Sequence, residues 1–363
     1  MQTALRLARR GLGSVWPNPA VGCILVREDQ GGRFVGRGWT QPGGRPHAET
    51  EALKRAGDLA NGSTAYVSLE PCNHTGKTGP CTDALIKAGV KRVVVATKDP
   101  DPRVAGAGIT KLKEAGIETE IDICRDDADD LNKGFMTRIN KNRPMMTLKL
   151  ATSLDGKIAT HTRHSRWITG PLSRAHAHRL RSENDAVLIG SETAITDDPE
   201  LTCRLEGLDA NSPVRIVLDS RLRLSPNSKL AQSAKDVPVW VVTTKQQYTV
   251  TQDELKNQGV EIIELDPQEG GRPDLEAVCN ILAERGLTRV LIEGGGGVAG
   301  SFFRKKLIDE VIWFRAPKLI GADGISALDA LGIETMDQAP EFISSDVFKT
   351  GNDTVETYRR VEG

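Results

Sequence analysis

Helix-like and strand-like stretches take turns along the first 143 residues, and this alternation constrains the fold more than any other feature of the chain. TALRLARRGLG repeats its apolar residues at helical spacing and ends on Gly. AVGCILV and RFVGRGW read as strands. HAETEALKRAG is a helix stopped by Gly57, TAYVSLE a strand, and CTDALIKAG a helix again stopped by Gly. RVVVAT, GITKLKEAG and IETEID continue as strand, helix and strand. DDADDLNKGFMTRINKNRP closes the series as a longer helix that ends before Pro144. Strands separated by helices predict a layered α/β sheet with helices on both faces. The acidic run Asp126 to Asp130 reads as a helix opening, where negative charge suits the dipole, rather than as a cation site.

A chain of 363 residues points to two domains. The boundary is expected where Lys141, Arg143 and Lys149 surround Pro144, giving domains 1–143 and 144–363. Beyond it MMTLKLATS, SLDGKIA, AVLIG, VRIVLD, VPVWVVTT, VEIIEL and RVLIEG read as strands. PLSRAHAHRLRSEND, LEAVCNILAERG and AGSFFRKKL read as helices, so a second α/β sheet with its own core is expected. No internal repeat or low-complexity segment stands out.

A net charge of −1 exerts no global pull on nucleic acid or anionic membrane, and 4% aromatic residues are too few for a row of base-stacking platforms. No apolar run is long enough to cross a bilayer, and MQTALRLARRGLGS lacks the apolar core of a secretory signal. The expectation is a cytoplasmic protein with no membrane or nucleic-acid partner. Six cysteines, at 23, 72, 81, 124, 203 and 279, are too sparse for a disulfide scaffold.

Two of them frame EPCNHTGKTGPC, with Cys72 and Cys81 nine positions apart. PHAE lies upstream, with His47 opening a helix and Glu49 in its first turn. Residues two apart on a helix point to different sides, so one can ligate a metal while the other stays free above it. His-x-Glu followed by Pro-Cys and a second Cys resembles the zinc nucleobase deaminase pattern. Cys72 follows a strand and Cys81 begins a helix, whose dipole favours a thiolate. His47, Cys72 and Cys81 leave one corner of a zinc open, and Glu49 fits as carrier of the water's proton to the departing ammonia. His74 is the rival ligand, and His47 is favoured because two residues from Cys72 is a strained reach. A structural zinc closed by His74 is the chemically silent alternative. Cys23, Cys124, Cys203 and Cys279 have no partner at ligand spacing and read as buried small hydrophobes. Asn18, stiffened by prolines on both sides, is placed to bond a ring edge, and an ordinary turn Asn is the competing reading.

In the second half, strand TRVLIE runs into Glu293 and Gly294 to Gly297, then Gly300 and a helix. Gly295, Gly297 and Gly300 fit the spacing of a dinucleotide loop, where backbone N–H groups approach a pyrophosphate. No acidic residue follows at the distance a Rossmann unit wants, so nucleotide binding is expected without a Rossmann fold. Arg166, Arg174, Arg179, Arg181 and Arg204 form a basic cluster with His161, His164, His176 and His178 among them. Ser220 and Arg221 follow a strand, where a 2′-phosphate can be gripped.

PNPAVGCILV, PHAE and EPCNHTGKTGPC together resemble the bifunctional riboflavin-biosynthesis family, a pyrimidine deaminase fused to a reductase. KLATSLDGKIA, SRWITG, IGSETAITDDPELTCR, IVLDSR and EGGGGVAG carry the resemblance through the second half. It implies a cytidine-deaminase-like α/β/α layered domain followed by a dihydrofolate-reductase-like α/β domain. It implies zinc on His47, Cys72 and Cys81 with Glu49 catalytic, and NADPH as hydride donor. By the same match Ala151, Trp167, Thr193, Asp197, Ser220, Gly295, Gly296, Gly297, Val298, Ala299, Gly300 and Ser301 would contact cofactor. Asn18 by its own chemistry, and Ser165, Arg181, Leu201, Arg204 and Glu293 by match, would contact substrate, the arginines holding its phosphate bidentately. Asp155 and Lys149 line the same region. The implied substrate is a phosphorylated ribosylamino-pyrimidinone, and a homo-oligomer is expected. A zinc deaminase acting on tRNA or another nucleobase, beside a degenerate nucleotide-binding half, is the competing reading.

Overall fold

The computed structural model describes residues 1–76, 79–101, 105–245, 250–268 and 270–361. It divides into two units, Met1–Arg143 and Pro144–Gly363.

In the first unit, helix α1 (Gln2–Ala8) precedes the antiparallel strands β1 (Gly22–Arg27) and β2 (Arg33–Trp39). Then α2 (Ala48–Ala56), β3 (Thr64–Val67), α3 (Cys81–Lys87), β4 (Arg92–Val95), α4 (Ala107–Glu114) and β5 (Glu118–Glu120) alternate up to the long α5 (Arg125–Lys141). The sheet order is β2-β1-β3-β4-β5, with β3, β4 and β5 parallel. Cys23, Leu25, Val67, Leu69, Leu85, Val93, Val95 and Leu112 pack as its core against the alanines of α2. That packing is close because β2 offers no side chains there. A Cβ on Gly38 would stand 2.1 Å from the Ala48 carbonyl oxygen, and one on Gly36 2.4 Å from that of Ala52. The two glycines therefore fix where α2 begins, and with it His47 and Glu49.

The second unit opens with β6 (Met145–Thr152) and the short β7 (Lys157–Ala159). After α6 (Pro171–Ser182), strand β8 (Ala186–Gly190) runs directly into α7 (Ser191–Asp197). Next come β9 (Val214–Leu218), α8 (Lys229–Gln232), β10 (Val239–Thr244), α9 (Val250–Asn257) and β11 (Glu261–Leu265). Helix α10 (Leu275–Glu284), β12 (Arg289–Ile292), α11 (Gly296–Arg304) and β13 (Glu310–Arg315) follow. The chain ends in β14 (Ile325–Ser326) and the hairpin of β15 (Phe342–Thr350) and β16 (Asp353–Arg360). Nine strands make one sheet in the order β11-β10-β9-β8-β12-β6-β13-β16-β15. Pairing is parallel as far as β13 and antiparallel at the terminal hairpin. Strands β8, β10 and β12 of the parallel part are near-continuous apolar runs because both faces are covered, whereas β11 at the edge exposes its glutamates.

Among the described residues no helix is long and apolar enough to cross a membrane.

Candidate active sites

In the first unit, three helix and strand ends deliver three soft ligands to one point. His47 is the N-cap of α2, Cys81 the first residue of α3, and Cys72 lies five residues past β3. The His47 Nδ1 stands 3.2 Å from Cys81 Sγ and 3.5 Å from Cys72 Sγ. All three ligand atoms lie within 4.8 Å of one another. The Cys81 backbone N–H donates to Cys72 Sγ at 3.4 Å. Hydrogen bonding from Cys81 pulls the Cys72 thiol down to about 4, while the hydrogen bond with Cys72 and burial push Cys81 up. His47 is raised, chiefly by its hydrogen bond with Cys72. Two sulfurs and an imidazole thus compete for protons in a space where a cation would satisfy all three. Two thiolates and a neutral imidazole are a donor set that suits zinc. His74 is not in the cluster; its Nδ1 is buried without a hydrogen-bond partner among the described residues.

Glu49 is 3% exposed beside this cluster. Burial pushes its carboxyl up to about 7, against the pull of the His47 charge and with the added repulsion of Cys72. The Asn18 amide packs on Gly44, three residues before His47: a Cβ on Gly44 would fall 1.7 Å from its amide nitrogen. Lys77 and Thr78 of the inter-cysteine loop lie outside the described residues. The acidic run opens α5, with Asp126 and Asp127 in its first turn. Cys23, Cys203 and Cys279 are buried as expected, but Cys124 is only partly so, because it caps α5 from a left-handed turn at the edge of its cluster.

One glutamate absent from the sequence reading organises this region. Glu70 is buried, and its carboxylate accepts N–H bonds from Gly106 (2.9 Å), Gly108 (3.0 Å) and Ile109 (3.2 Å). It fastens the start of α4 next to Cys72. Only its place in EPC pointed to it.

In the second unit a cleft of about 1030 Å³ opens at the carboxyl ends of β8, β9 and β12. Thr193, Asp197, Ser220, Gly295, Gly296, Gly297, Val298 and Ser301 line it together with Ser165. Arg221 is there too, joined by Arg223 and Arg272, which the sequence reading did not single out. Helix α11 begins at Gly296, so its free N–H groups face an anion-sized space. The residues present fit a dinucleotide. The glycines have a second reason, however. Cβ atoms on Gly296 and Gly297 would stand 3.0 and 3.2 Å from the Asp329 carboxylate, so the run also makes room for the strap that follows β14.

Four expected cofactor contacts lie off this lining. Ala151 packs against the cluster of Leu180, Leu291 and Phe314. Trp167 is 62% exposed under the Arg174 guanidinium, 4.5 Å from its ring centre. Ala299 and Gly300 are buried, and a Cβ on Gly300 would stand 3.4 Å from that of Asp329 in the strap after β14.

Arg181, expected to meet the substrate, is also tied to groups of the protein. It pairs bidentately with Glu293, at 2.5 and 2.9 Å, and donates to the Thr202 carbonyl at 3.1 Å. Three of its donors are thereby engaged within the protein. Burial alone would raise Glu293, but Arg181 and then Lys149, 3.7 Å away, hold it at about 2. Arg204 is the exposed cation of the set, its guanidinium bonded to Glu200 at 2.7 Å. Leu201 is buried with φ +56°, and Arg179 pairs with Glu183. Asp155 is tied up by Ser153 and the Gly321 N–H, which hold its carboxyl at about 2.

Comparison with known proteins places both halves. Residues 1–97 match the cytidine and deoxycytidylate deaminase zinc-binding region, and residues 144–355 match the RibD C-terminal domain. Riboflavin biosynthesis protein RibD of Aquifex aeolicus is 41% identical over 99% of this chain and 97% of its own. That of Escherichia coli is 38% identical over 97% and 96%. Among solved structures, Acinetobacter baumannii RibD superposes with a TM-score of 0.87 at 39% identity, covering 99% of this chain and 98% of that one. The Thermotoga maritima deaminase/reductase gives 0.86 at 35% identity, covering 99% and 97%.

Proposed function

Because this chain belongs to the RibD family of bifunctional riboflavin-biosynthesis enzymes, we propose that its two units divide two consecutive reactions between the residues described above. The enzyme deaminates 2,5-diamino-6-ribosylamino-4(3H)-pyrimidinone 5′-phosphate and then reduces the ribosyl side chain to ribityl, using zinc and NADPH.

The deaminase is assigned to residues 1–143. His47, Cys72 and Cys81 would hold the zinc, which supplies Lewis acidity toward water. Glu49 takes the proton of the attacking water on a carboxylate oxygen. It then returns a proton to the 2-amino nitrogen as the C2–N bond breaks and ammonia leaves. A carboxyl poised near neutrality by burial suits both transfers. Asn18 is assigned to the ring edge.

The reductase is assigned to residues 144–363. When bound, NADPH would supply hydride to the ribosyl carbon bonded to the amine, and water would protonate the ring oxygen as its bond to that carbon breaks. Thr193, Asp197, Ser220 and the start of α11 would seat the dinucleotide. Ser165, Glu293 and Arg204 would face the substrate, with Arg181 holding Glu293 in place. The single observation that carries the reading is the convergence of His47, Cys72 and Cys81 beside a buried Glu49. A cytoplasmic homo-oligomer acting on small molecules and not on nucleic acid belongs to the same proposal.

Feeding the diaminopyrimidine phosphate tests it. Without NADPH, mass analysis should find only the deaminated pyrimidine; with NADPH, the ribityl product. A product unchanged by NADPH would refute the assignment of the second unit. Arg204→Ala should raise the reductase KM about tenfold for the phosphorylated substrate and much less for its dephospho analogue. Equal effects on both would remove Arg204 from the phosphate.

A further inference from the structure

Four side chains grip four backbone groups of one short turn. Between α7 and β9 the chain passes through Glu200 to Arg204 without helix or strand of its own. Arg215 donates to the Glu200 carbonyl at 3.2 Å, and Arg181 to the Thr202 carbonyl at 3.1 Å. The Cys203 N–H donates to Ser212 Oγ at 3.1 Å, and the Arg204 N–H to His178 Nδ1 at 3.2 Å. Within the turn Leu201 is left-handed, a conformation a Cβ resists and that persists only where its surroundings over-determine it. The exposed end of this arrangement is the Arg204 side chain.

Only one of the four grips responds to a proton near neutrality, because guanidinium groups stay charged and hydroxyls stay neutral. The His178 Nδ1 lies between two backbone groups of opposite character, the Arg204 N–H and the Thr202 carbonyl, 3.1 Å from the latter. A lone pair on Nδ1 accepts from Arg204; a hydrogen there turns to Thr202. The Thr202 carbonyl already has the Arg181 donor, whereas the Arg204 N–H has no other acceptor among the described residues. The neutral Nε2–H tautomer therefore satisfies every group.

We propose that His178 is a positioning residue of the reductase: its unprotonated Nδ1 holds the Arg204 backbone and so aims the Arg204 guanidinium at the substrate phosphate. This rests on the reading of Arg204 given above. The charges facing the ring are Arg181 on its own helix, Arg204 across the turn and Glu293 at the end of β12. Burial, then the two cations, lower its pKa from the usual histidine value, opposed by the hydrogen bond with the Thr202 carbonyl and then by Glu293. The acceptor is thus present at neutral pH and is lost only as pH falls through a point below the ordinary histidine value. There an Nδ1–H faces the Arg204 N–H, donor against donor, and the turn loses the one grip on the Arg204 backbone while the other three remain.

The test uses the full-length enzyme, with Arg204→Ala as reference. His178→Asn puts an amide oxygen near the place of Nδ1; His178→Leu fills the volume without an acceptor. The Leu variant should raise KM for the phosphorylated substrate about tenfold, as the loss of one backbone hydrogen bond predicts. Its kcat, its KM for NADPH and its KM for the dephospho analogue should stay within about twofold. The Asn variant should recover most of the lost affinity. The wild-type KM should climb on acidification more steeply than that of the Asn variant; the substrate phosphate, with a second pKa near ~6, titrates identically in both. If Arg204→Ala raises KM and His178→Leu does not, the positioning role is overturned and the phosphate reading stands. If Arg204→Ala itself leaves the phosphate preference unmoved, both fall together. A Leu variant that loses kcat and all affinities alike marks a structural histidine and overturns the proposal. Should that variant fail to fold, the Asn variant decides: an acid limb equal to that of the wild type overturns it.

Discussion

Glu49→Gln is expected to stop ammonia release while leaving zinc content and fold intact. The substitution keeps the side chain's size and one carbonyl oxygen but removes its ability to carry a proton. Glu49 is buried in the first turn of α2, packed against β2 through glycines, so an isosteric amide fits without movement. It is not among the three ligand atoms, so the metal stays. A positioned proton carrier is worth roughly 10²–10⁴-fold in rate, and the deaminase should lose at least that much. Burial that lifts Glu49 to about 7 also means the neutral amide resembles the protonated form already tolerated there. Ammonia assay beside atomic absorption of the purified variant checks both halves of the claim. Robust ammonia release from the Glu49→Gln enzyme would end the role assigned to this carboxylate.

Cys81→Ser should strip the metal. Serine offers an oxygen that stays protonated at neutral pH, and zinc then has one thiolate and one imidazole. Zinc retained after dialysis against chelator should fall to under about a tenth of the wild-type content, since metal binding is part of the folding free energy of such sites. Melting of the first unit should shift downward. The ligand is also the first residue of α3, and its backbone N–H bonds Cys72, so the loss loosens both the helix start and the loop before it. Reductase turnover, housed in a separate core, should be unmoved. Full zinc content in the purified variant would contradict the ligand set.

The sequence announced the first unit almost element by element. Each helix there ends on or near a glycine or proline, and strands β1, β3 and β4 are short apolar runs, so period and punctuation agree. The metal cluster was equally legible, because His47 and Cys81 sit at helix starts and Cys72 follows a strand, all marked by the same signals. The second unit was less open. Strand β15 is exposed on both faces except at its ends and carries no alternation, so nothing in FISSDVFKT marks it as a strand. Helix α7, SETAITD, is short and rich in β-branched residues, so its pattern is too brief to mark a helix. The pairing of the arginines was hidden for a different reason. Charge counts do not tell which guanidinium meets a carboxylate, and Arg181 finds Glu293 across 112 positions of sequence. Arg215 is the extreme case. It lies wholly buried on β9, bonded to carbonyls of Glu200, Ser233 and Val237, with burial holding it at about 10. An apolar strand context, VRIVL, gave no hint that its one charged residue points inward.

The place of β6 in the nine-stranded sheet carries a cost during synthesis. It is the first strand of its unit to leave the ribosome, yet both its neighbours, β12 and β13, come near the end of the chain. Roughly 140 residues must be added before MMTLKLAT gains a partner, on the order of ten seconds at about 5–20 residues per second. For that interval a sticky, unpaired ribbon trails an already finished neighbour, and the cell's holding chaperones, rather than any contact within the native protein, decide whether it survives to be used.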